Sequence, residues 1–371
     1  MNKKLILLIS LFCFFYIFFV LDSKKVIDDY TNTTNNKYLT YTTDGELSDD
    51  FLKILKEYNF VEDKKNGLYF FPYDYNPCEK IVRSLNNSPH KYLYVMDGCD
   101  VIGSKIDLWK SIKSEYGLQA DKYMPECYLY DNETDMEELR NRMEYDEEHN
   151  ISRMYILKNY QQRQEGLKVV SSWDEVMDDK NRKDYYIIQE YLYNPFIVSK
   201  RKINFRVYYL IVCRNNTMAC YIYNNGFMYY TPDFYDPKST DFNKHITTGY
   251  IDRQVYIDNP LTREDFRKYL GPDKAKLLDD NTNVLMNYVS KALVKRTCTN
   301  NYNDKVRFQI YGVDIQPDAN LDVKLIEINK GPDLTSKDKR DGDVKYKMQQ
   351  DLFKLIDPEH FGSTNNFIKV Y

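Results

Sequence analysis

The sequence predicts an α+β fold, because β-strand patterns alternate with amphipathic helix patterns along most of the chain. The 371 residues suffice for about two domains plus smaller accessory parts. Hydrophobic residues make up 43% and charged residues 29%, a balance typical of globular proteins. The net charge of −4 argues against a dedicated nucleic-acid-binding protein, which usually has a clear basic excess.

The first element in the chain is an apolar segment, Leu5 to Val20, with lysines before and after it. A helix of this length spans about 25 Å at ~1.5 Å per residue, close to the hydrocarbon thickness of a bilayer. Bulky residues follow where a signal-peptide cleavage site needs small ones, so an uncleaved single-pass membrane anchor is preferred over a signal peptide. The flanking lysines leave its orientation open.

Four parts of the chain are predicted. Residues 1–24 form the anchor, and residues 25–66 form a polar tether that contains one amphipathic helix, Ser48 to Tyr58. Residues 67–150 form a small N-terminal α/β subdomain, and residues 151–360 form the main domain. We expect no internal repeat.

Strands and helices follow one another in the folded part. The predicted strands are Leu93–Asp97, Met154–Lys158, Leu167–Val170, Tyr185–Tyr191, Ile203–Val212, Arg307–Ile315 and Leu321–Ile328. The predicted helices are Ser104–Tyr116, a short helix capped by Ser172 and Glu175, and Asn283–Arg296. Asn224-Asn225-Gly226 between two apolar runs predicts a hairpin turn.

The seven cysteines predict buried thiols rather than a metal site or a disulfide framework. No two of them form a CxxC pair, so a structural zinc site is not indicated. An odd count in a long chain is also not typical of a disulfide-stabilised scaffold. The sequence therefore favours reduced cysteines in a reducing environment.

The most informative stretch is the predicted strand pair between Phe308 and Pro332. If the turn centres between Asn320 and Leu321, Asp314 lies opposite Glu327, and strand alternation places Asn329 on the same face as Glu327. Two adjacent buried carboxylates repel each other unless a cation lies between them. Carboxylate and amide oxygens together with ATP phosphates suit Mg²⁺. The alternative, a surface hairpin with solvated acids, fits the spacing equally well.

Basic residues upstream favour the nucleotide interpretation. Lys158 ends one strand and Lys168 lies in the next, so the two could cover phosphate oxygens. Lys202, Asn204 and Arg206 alternate along a single strand and face one side. Gln189-Glu190-Tyr191-Leu192 closes a buried strand and could offer backbone groups to an adenine.

Several motifs resemble, in order and spacing, those of the tubulin–tyrosine ligase-like enzymes, over most of residues 92–334. They are SKIDLW at 104–109, MPECYLY at 124–130, Lys158, QEYL at 189–192, KINFRVY at 202–208, YNNGF at 223–227, HITT at 245–248, and GVD and EIN between 312 and 329. The resemblance implies an ATP-grasp fold, with two α/β lobes around a nucleotide cleft, for residues 151–360. It also implies an ATP-dependent carboxylate–amine ligase.

The resemblance assigns roles to individual residues. Asp314, Glu327 and Asn329 would hold Mg²⁺, and Arg206, Lys202 and Lys105 would serve the reacting groups. The nucleotide would contact Lys158, Lys168, Gln189, Glu190, Leu192, Lys202 and Asn204. Three residues depart from the family pattern: Asn204 replaces an aspartate, Tyr229 an arginine, and Thr248 an asparagine. Losing an arginine where phosphate charge develops can cost several kcal/mol of transition-state stabilisation.

The predicted function is therefore ligation of an amino acid (Glu, Gly or Tyr) to a protein carboxylate through an acyl phosphate, with ATP and Mg²⁺ as cofactors. The expected partners are a free amino acid, an acceptor with an acidic tail such as tubulin, and a membrane, but no nucleic acid. The catalytic domain is expected on the cytosolic side. Two alternatives stay open: a membrane-anchored glycosyltransferase, suggested by the anchor and by Asp97-Gly98-Cys99-Asp100, and a catalytically weak ATP-binding scaffold.

Overall fold

The computed structural model describes residues 38–75, 77–159, 166–300, 302 and 304–371. Across these residues the chain forms two β-sheets with helices packed against them, as the mixed α/β prediction requires. Within these ranges no helix combines the length and the apolar composition that a bilayer crossing needs. The predicted anchor at Leu5–Val20 lies outside the described residues.

The strands and helices are numbered here in chain order. The strands are β1 Leu39–Thr43, β2 Phe60–Glu62, β3 Tyr69–Phe71, β4 Tyr92–Leu93, β5 Cys127–Leu129, β6 Tyr155–Lys158, β7 Leu167–Val170, β8 Ile187–Glu190, β9 Ile197–Val198, β10 Arg201–Arg214, β11 Thr217–Tyr230, β12 Val306–Pro317, β13 Val323–Lys330 and β14 Phe367–Lys369. The helices are α1 Asp49–Glu57, α2 Cys78–Ser84, α3 Cys99–Gly103, α4 Lys105–Tyr116, α5 Glu133–Glu148, α6 Trp173–Met177, α7 Asp179–Asp184, α8 Phe242–His245, α9 Val255–Asp258, α10 Arg263–Leu270, α11 Pro272–Leu293, α12 Lys339–Ile356 and α13 Pro358–Phe361.

The large sheet has the order β14-β11-β10-β12-β4-β3-β1-β2, with β13 paired to β12 and β9 to β10. Its centre is the antiparallel set β11, β10 and β12, whose residues are mostly buried. Strands buried on both faces need apolar residues at successive positions, and β10 and β12 are rich in Val, Ile, Leu, Phe and Tyr. This sheet carries the acidic strand pair.

The small sheet has the order β5-β8-β6-β7 and is antiparallel throughout. One face packs against helices α5 and α6, through Leu139 and Val176, which share a core with Tyr155 and Leu157. The other face is turned toward the large sheet, with Met154, Val169 and Tyr191 in contact with Ile246. The two sheets therefore enclose a space between them.

Several local predictions are confirmed. Helix α4 begins after Ser104, whose side chain accepts the Asp107 N–H, and ends at Gly117. The capping box of Ser172 and Glu175 is present at α6. Strand β7 has the predicted bounds, and α11 begins eleven residues earlier than predicted, at Pro272.

The predicted turn at Asn224-Asn225-Gly226 is wrong. Strand β11 continues through it, and the hairpin turns instead at Asn215 and Asn216, which both have positive φ. Near Gly226 the register shifts between Val207 and Tyr209, as in a β-bulge. A Cβ at Gly226 would lie 2.0 Å from the Arg206 carbonyl oxygen, so the glycine permits close strand approach rather than a turn.

The N-terminal part of the fold starts earlier than the sequence suggests. The predicted amphipathic helix is α1, Asp49–Glu57, but β1 and β2 on either side of it pair with each other in the large sheet. Residues 39–66 are therefore part of the folded unit and not a tether. The predicted boundary between a subdomain at 67–150 and a catalytic domain at 151–360 stays a prediction.

The expectation of reduced thiols is also corrected. Among the six cysteines that the structure describes, four form the disulfides Cys78–Cys99 and Cys213–Cys298, while Cys127 and Cys220 are free and buried. The paired cysteines are 21 and 85 residues apart in sequence. Only the tertiary fold brings them together, so their spacing in the sequence gives no signal.

Candidate functional site

A cavity of about 430 Å³ lies between the two sheets. This is within the usual size range of small-ligand sites. All but one of the predicted site residues line it: Lys105, Lys158, Gln189, Glu190, Leu192, Lys202, Asn204, Arg206, Asp314, Glu327 and Asn329. The strand pattern and the chain topology thus bring together residues from 105 to 329.

The two acidic residues pair as predicted, although the register of the two strands shifts between Asp314 and Ile315. Asp314 of β12 is directly opposite Glu327 of β13. Asn329, two residues further, donates from Nδ2 to Glu327 Oε1 at 2.9 Å and lies 3.5 Å from Asp314 Oδ2. The interpretation as a solvated surface hairpin is therefore wrong, because Asp314 is only 6% exposed and all three residues line the cavity.

Arg206 binds the acidic pair from the neighbouring strand β10. Its Nε and Nη2 donate to the two oxygens of Asp314 at 2.6 and 2.8 Å, a bidentate ion pair. Burial lowers the pKa of Arg206, but the Asp314 carboxylate outweighs it and holds the pKa above its ordinary value. Gly312 makes room for this side chain, since a Cβ there would lie 2.9 Å from Arg206 Cδ.

Glu327 is held in its charged form. Burial raises its pKa, but the ammonium groups of Lys105 and Lys158 more than offset this effect, and the pKa is lowered overall. A charged carboxylate deep in a cavity is a strong ligand for a hard cation.

Two lysines on the strands facing each other across the cavity are almost fully buried. Burial lowers the pKa of Lys158, with partial compensation from Glu327. Burial and the nearby Lys158 lower the pKa of Lys202 to about 7. The Lys202 ammonium lies 4.1 Å from the centre of the Tyr191 ring and forms no ion pair with any described carboxylate. Two buried cations that repel each other create a site for an anion.

The end of the cavity near β8 is less polar. Ile156, Leu167 and Leu192 contribute apolar surface there, and Gln189 is buried with Nε2 3.3 Å from Cys127 Sγ. The Glu190 side chain is bound by Arg142 and Arg153. Such a surface suits a flat heterocycle next to the cationic part of the cavity.

Lys168 is the one predicted site residue that does not line the cavity. It lies between Leu167, which faces the cavity, and Val169, and its exposed ammonium group donates to Asn181 Oδ1 at 3.1 Å. Because side chains alternate along a strand, Leu167 and Lys168 point to opposite faces of the small sheet. The structure therefore does not bring Lys168 together with the other predicted site residues.

The residues present fit a magnesium ion. Asp314, Glu327 and Asn329 offer hard oxygen donors, and a carboxylate that accepts two hydrogen bonds from arginine keeps lone pairs for a metal. Asn204, on β10, leaves its buried Oδ1 without a hydrogen-bond partner among the described residues. An acceptor of this kind suits a hydroxyl or amine of a bound ligand.

Sequence reasoning named Tyr229 and the HITT motif at 245–248 but did not predict the wall of the cavity to which they belong, beyond Arg206. It is formed by Tyr229 of β11, the loop at 245–253, and the segment between β13 and α12. The cations on this wall are Arg253, Lys337 and Lys345. Arg253 and Lys337 lie in loops, where no periodicity marks them, and Lys345 lies within α12, where only its i,i+4 spacing from Asp341 gives a local signal.

Comparison with known proteins identifies a family. The profile of the tubulin-tyrosine ligase family matches residues 83–364, which is more than half of the chain. The matched region includes both sheets' contributions to the cavity.

Individual relatives are more distant. The chain is 26% identical over 204 residues to "Probable tubulin polyglutamylase ttll-9" of Caenorhabditis elegans, covering 52% of this chain and 48% of that protein. It is 27% identical to "Probable alpha-tubulin polyglutamylase Ttll1" of Tetrahymena thermophila, over 50% of this chain and 46% of that protein. It is 23% identical to "Tubulin glycylase 3B" of Drosophila melanogaster, over 65% of this chain and 32% of that protein. The chain thus spans half or less of the length of the curated relatives it matches.

Proposed function

Because this chain belongs to the tubulin-tyrosine ligase family, we propose that it is an ATP- and Mg²⁺-dependent ligase that joins an amino acid to a protein carboxylate. The observation that carries the proposal is the convergence of Asp314, Glu327 and Asn329 in one cavity with Lys158, Lys202 and Arg206. Two sheets with a cavity between them also fit the ATP-grasp fold that the family resemblance implies.

The nucleotide would lie along the cavity. The apolar end at Ile156, Leu167 and Leu192 would take the adenine, and Lys158 and Lys202 would bind the phosphates. Both ammonium groups are buried and their charged forms are disfavoured there, so phosphate oxygens would compensate this desolvation cost.

The proposed reaction needs no protein nucleophile. The acceptor carboxylate attacks the γ-phosphorus of ATP, and ADP leaves. The incoming amine then attacks the acyl carbon, an amide bond forms, and phosphate leaves with loss of a proton from the amine. Arg206, fixed by Asp314, would stabilise the negative charge that develops on the transferred group. Mg²⁺, when bound at Asp314, Glu327 and Asn329, would neutralise charge on the phosphates.

The names of the relatives guide the choice of substrates. Those relatives are described as tubulin polyglutamylases or as a tubulin glycylase. We therefore propose glutamate or glycine as the amino acid, and an acidic protein tail, with tubulin as one candidate, as the acceptor.

The test is incorporation of amino acids by the full chain. The purified protein is incubated with MgATP, mixed amino acids and either tubulin or poly-glutamate, and the acceptors are analysed by mass spectrometry. We expect mass increments of single amino-acid residues together with ADP release. Glu327→Gln, which keeps the size but removes the charge, should reduce turnover at least a hundredfold, since it weakens the metal site. Lys168→Met, outside the cavity, is the matched control and should keep wild-type turnover.

A second candidate function is a nucleotide-binding scaffold with little turnover. The specific observation is the pair Asn204 and Tyr229, which lie directly opposite each other on β10 and β11. Both depart from the family pattern, and both are uncharged where that pattern has an acid and a base. Tight MgATP binding without ADP release on any acceptor would favour this function over ligation.

A further inference from the structure

The wall of the cavity beyond Arg206 contains Lys337, an exposed lysine that forms no ion pair in the described part of the chain. The Arg206 guanidinium lies 5.1 Å from the Tyr229 ring centre. That ring packs on Gly249, where a Cβ would come 2.7 Å from Tyr229 Cε1. The Lys337 ammonium donates to the Gly249 carbonyl oxygen at 3.1 Å. Lys337 is thus separated from the reacting end of the cavity only by Tyr229 and Gly249.

Two other cations of this wall are already paired. Lys345 Nζ lies 2.8 Å from Asp341 Oδ1 and donates to the Thr335 carbonyl oxygen at 2.7 Å. Arg253 forms an ion pair with Asp338. Their charges are therefore largely compensated within the protein.

Lys337 differs from both. It forms no ion pair with any carboxylate in the described part of the chain, and its ammonium lies 4.1 Å from the centre of the Tyr250 ring. The Gly249 carbonyl oxygen accepts from one of the three N–H donors of the Lys337 ammonium, and the face of the Tyr250 ring carries no negative charge that would neutralise it. Partial burial and the nearby Lys345 lower the pKa of Lys337 by more than Asp333 and Asp341 raise it, so an anion at this position would be favoured electrostatically.

We propose that Lys337 binds a substrate carboxylate that is not the one being phosphorylated. This inference rests on the proposed ligase function. Two sources share that chemistry: the α-carboxylate of the incoming amino acid, and a neighbouring acidic side chain of the acceptor. Because Tyr229 provides no cation where the family pattern has an arginine, Lys337 supplies one to this end of the cavity from a different segment of the chain.

The experiment measures binding by the full-length protein with a non-hydrolysable MgATP analogue present at saturation. The ligands are L-glutamate, glycine and a peptide that ends in several glutamates. The variants are Lys337→Met, Lys337→Arg and Lys339→Met, whose exposed side chain pairs with Asp343 outside the cavity. Affinity for the nucleotide analogue is measured separately for each protein.

We expect Lys337→Met to reduce the affinity for at least one of these ligands by about tenfold or more, as expected when a charge-assisted hydrogen bond is lost. Lys337→Arg should stay within about threefold of wild type, and Lys339→Met should be unchanged. Nucleotide affinity should be the same in all four proteins. If Lys337→Met loses affinity only for the free amino acids, Lys337 binds the α-carboxylate of the incoming amino acid. If it loses affinity only for the peptide, Lys337 binds an acidic side chain of the acceptor.

The proposal is overturned if Lys337→Met binds glutamate, glycine and peptide as the wild type does, or if it loses nucleotide affinity to the same degree. It is also overturned if the wild type binds the nucleotide analogue but none of the three ligands. In that case the proposed nucleotide site is still supported. A wild type that does not bind the nucleotide analogue instead contradicts the proposed function itself.

Discussion

At the scale of single residues, the cavity contains two kinds of cation. Arg206 is paired with Asp314 inside the protein, so its charge and its position are fixed before any ligand binds. Lys202 forms no ion pair in the described part of the chain, and burial and the nearby Lys158 lower its pKa to about 7. The first is suited to orient a reacting group, and the second is suited to respond to a bound anion.

Lys202 should make nucleotide binding dependent on pH. Bound phosphate favours the charged form, so above about pH 7 binding takes up a proton, and affinity for MgATP should fall by up to about tenfold per pH unit between pH 7 and 9. Isothermal titration calorimetry at about pH 8 in two buffers of different ionisation enthalpy measures this proton uptake. Equal uptake in wild type and Lys202→Met would contradict the assignment.

The same shift has a consequence for folding. The unfolded chain keeps the Lys202 proton up to the ordinary lysine pKa, whereas the folded chain releases it near pH 7. The unfolded state therefore binds more protons between these values. The contribution of Lys202 to the free energy of unfolding should rise with pH across that window, because its buried charge is removed.

At the scale of elements, strand alternation decides which charges reach the cavity. On β10 it places Lys202, Asn204 and Arg206 together on the cavity side, as the sequence predicts. On the adjacent strands β6 and β7, Lys158 lines the cavity and Lys168 does not. The sequence showed a lysine in each strand, but only the cross-strand register, with Leu157 opposite Lys168, assigns them to opposite faces.

The two lysines give a matched test of this arrangement. Lys158→Met should weaken MgATP binding by about tenfold or more, since it removes a buried charge next to the phosphates. Lys168→Met should leave the affinity unchanged, because its side chain contacts Asn181 on the other face. Fluorescence titration with a labelled ATP analogue measures both. Equal losses in the two variants would show that the register is not that of the structure.

At the scale of the whole molecule, the disulfides tie distant parts of the chain together. Cys213 at the end of β10 is joined to Cys298 after α11, across 85 residues. Cys78 at the start of α2 is joined to Cys99 at the start of α3, across 21 residues. The first disulfide connects the segment that follows a long helix to the central strand of the large sheet.

The two disulfides should differ in their contribution to stability. In the loop-entropy view, a fourfold longer closed loop contributes about 1.2 kcal/mol more. The variant with Cys213→Ser and Cys298→Ser should thus lose more free energy of unfolding than the one with Cys78→Ser and Cys99→Ser, each losing about 2–5 kcal/mol. Urea titrations under non-reducing conditions measure both. Unchanged midpoints in wild type after reduction would show that the cysteines are not paired in solution.

The sequence by itself determined the late acidic strand pair, the basic alternation on β10 and the caps of α4 and α6. These depend on local periodicity and short-range hydrogen bonds, which neighbouring residues in the chain specify. It also predicted Asp314 opposite Glu327, but the structure reaches this pairing through a register shift between Asp314 and Ile315 that the sequence did not predict.

Only the tertiary structure decided which residues meet across long distances in the chain. The pairing of β1 in the large sheet, the disulfides, the orientation of Lys168 and the approach of Lys337 to Gly249 each depend on contacts between segments that no local pattern links. The predicted turn at Asn224-Gly226 was wrong for the same reason. This segment locally favours a turn, but it stays in β11 because it pairs with β10. Local preferences are worth at most about 1 kcal/mol per residue, and the packing of two sheets outweighs them.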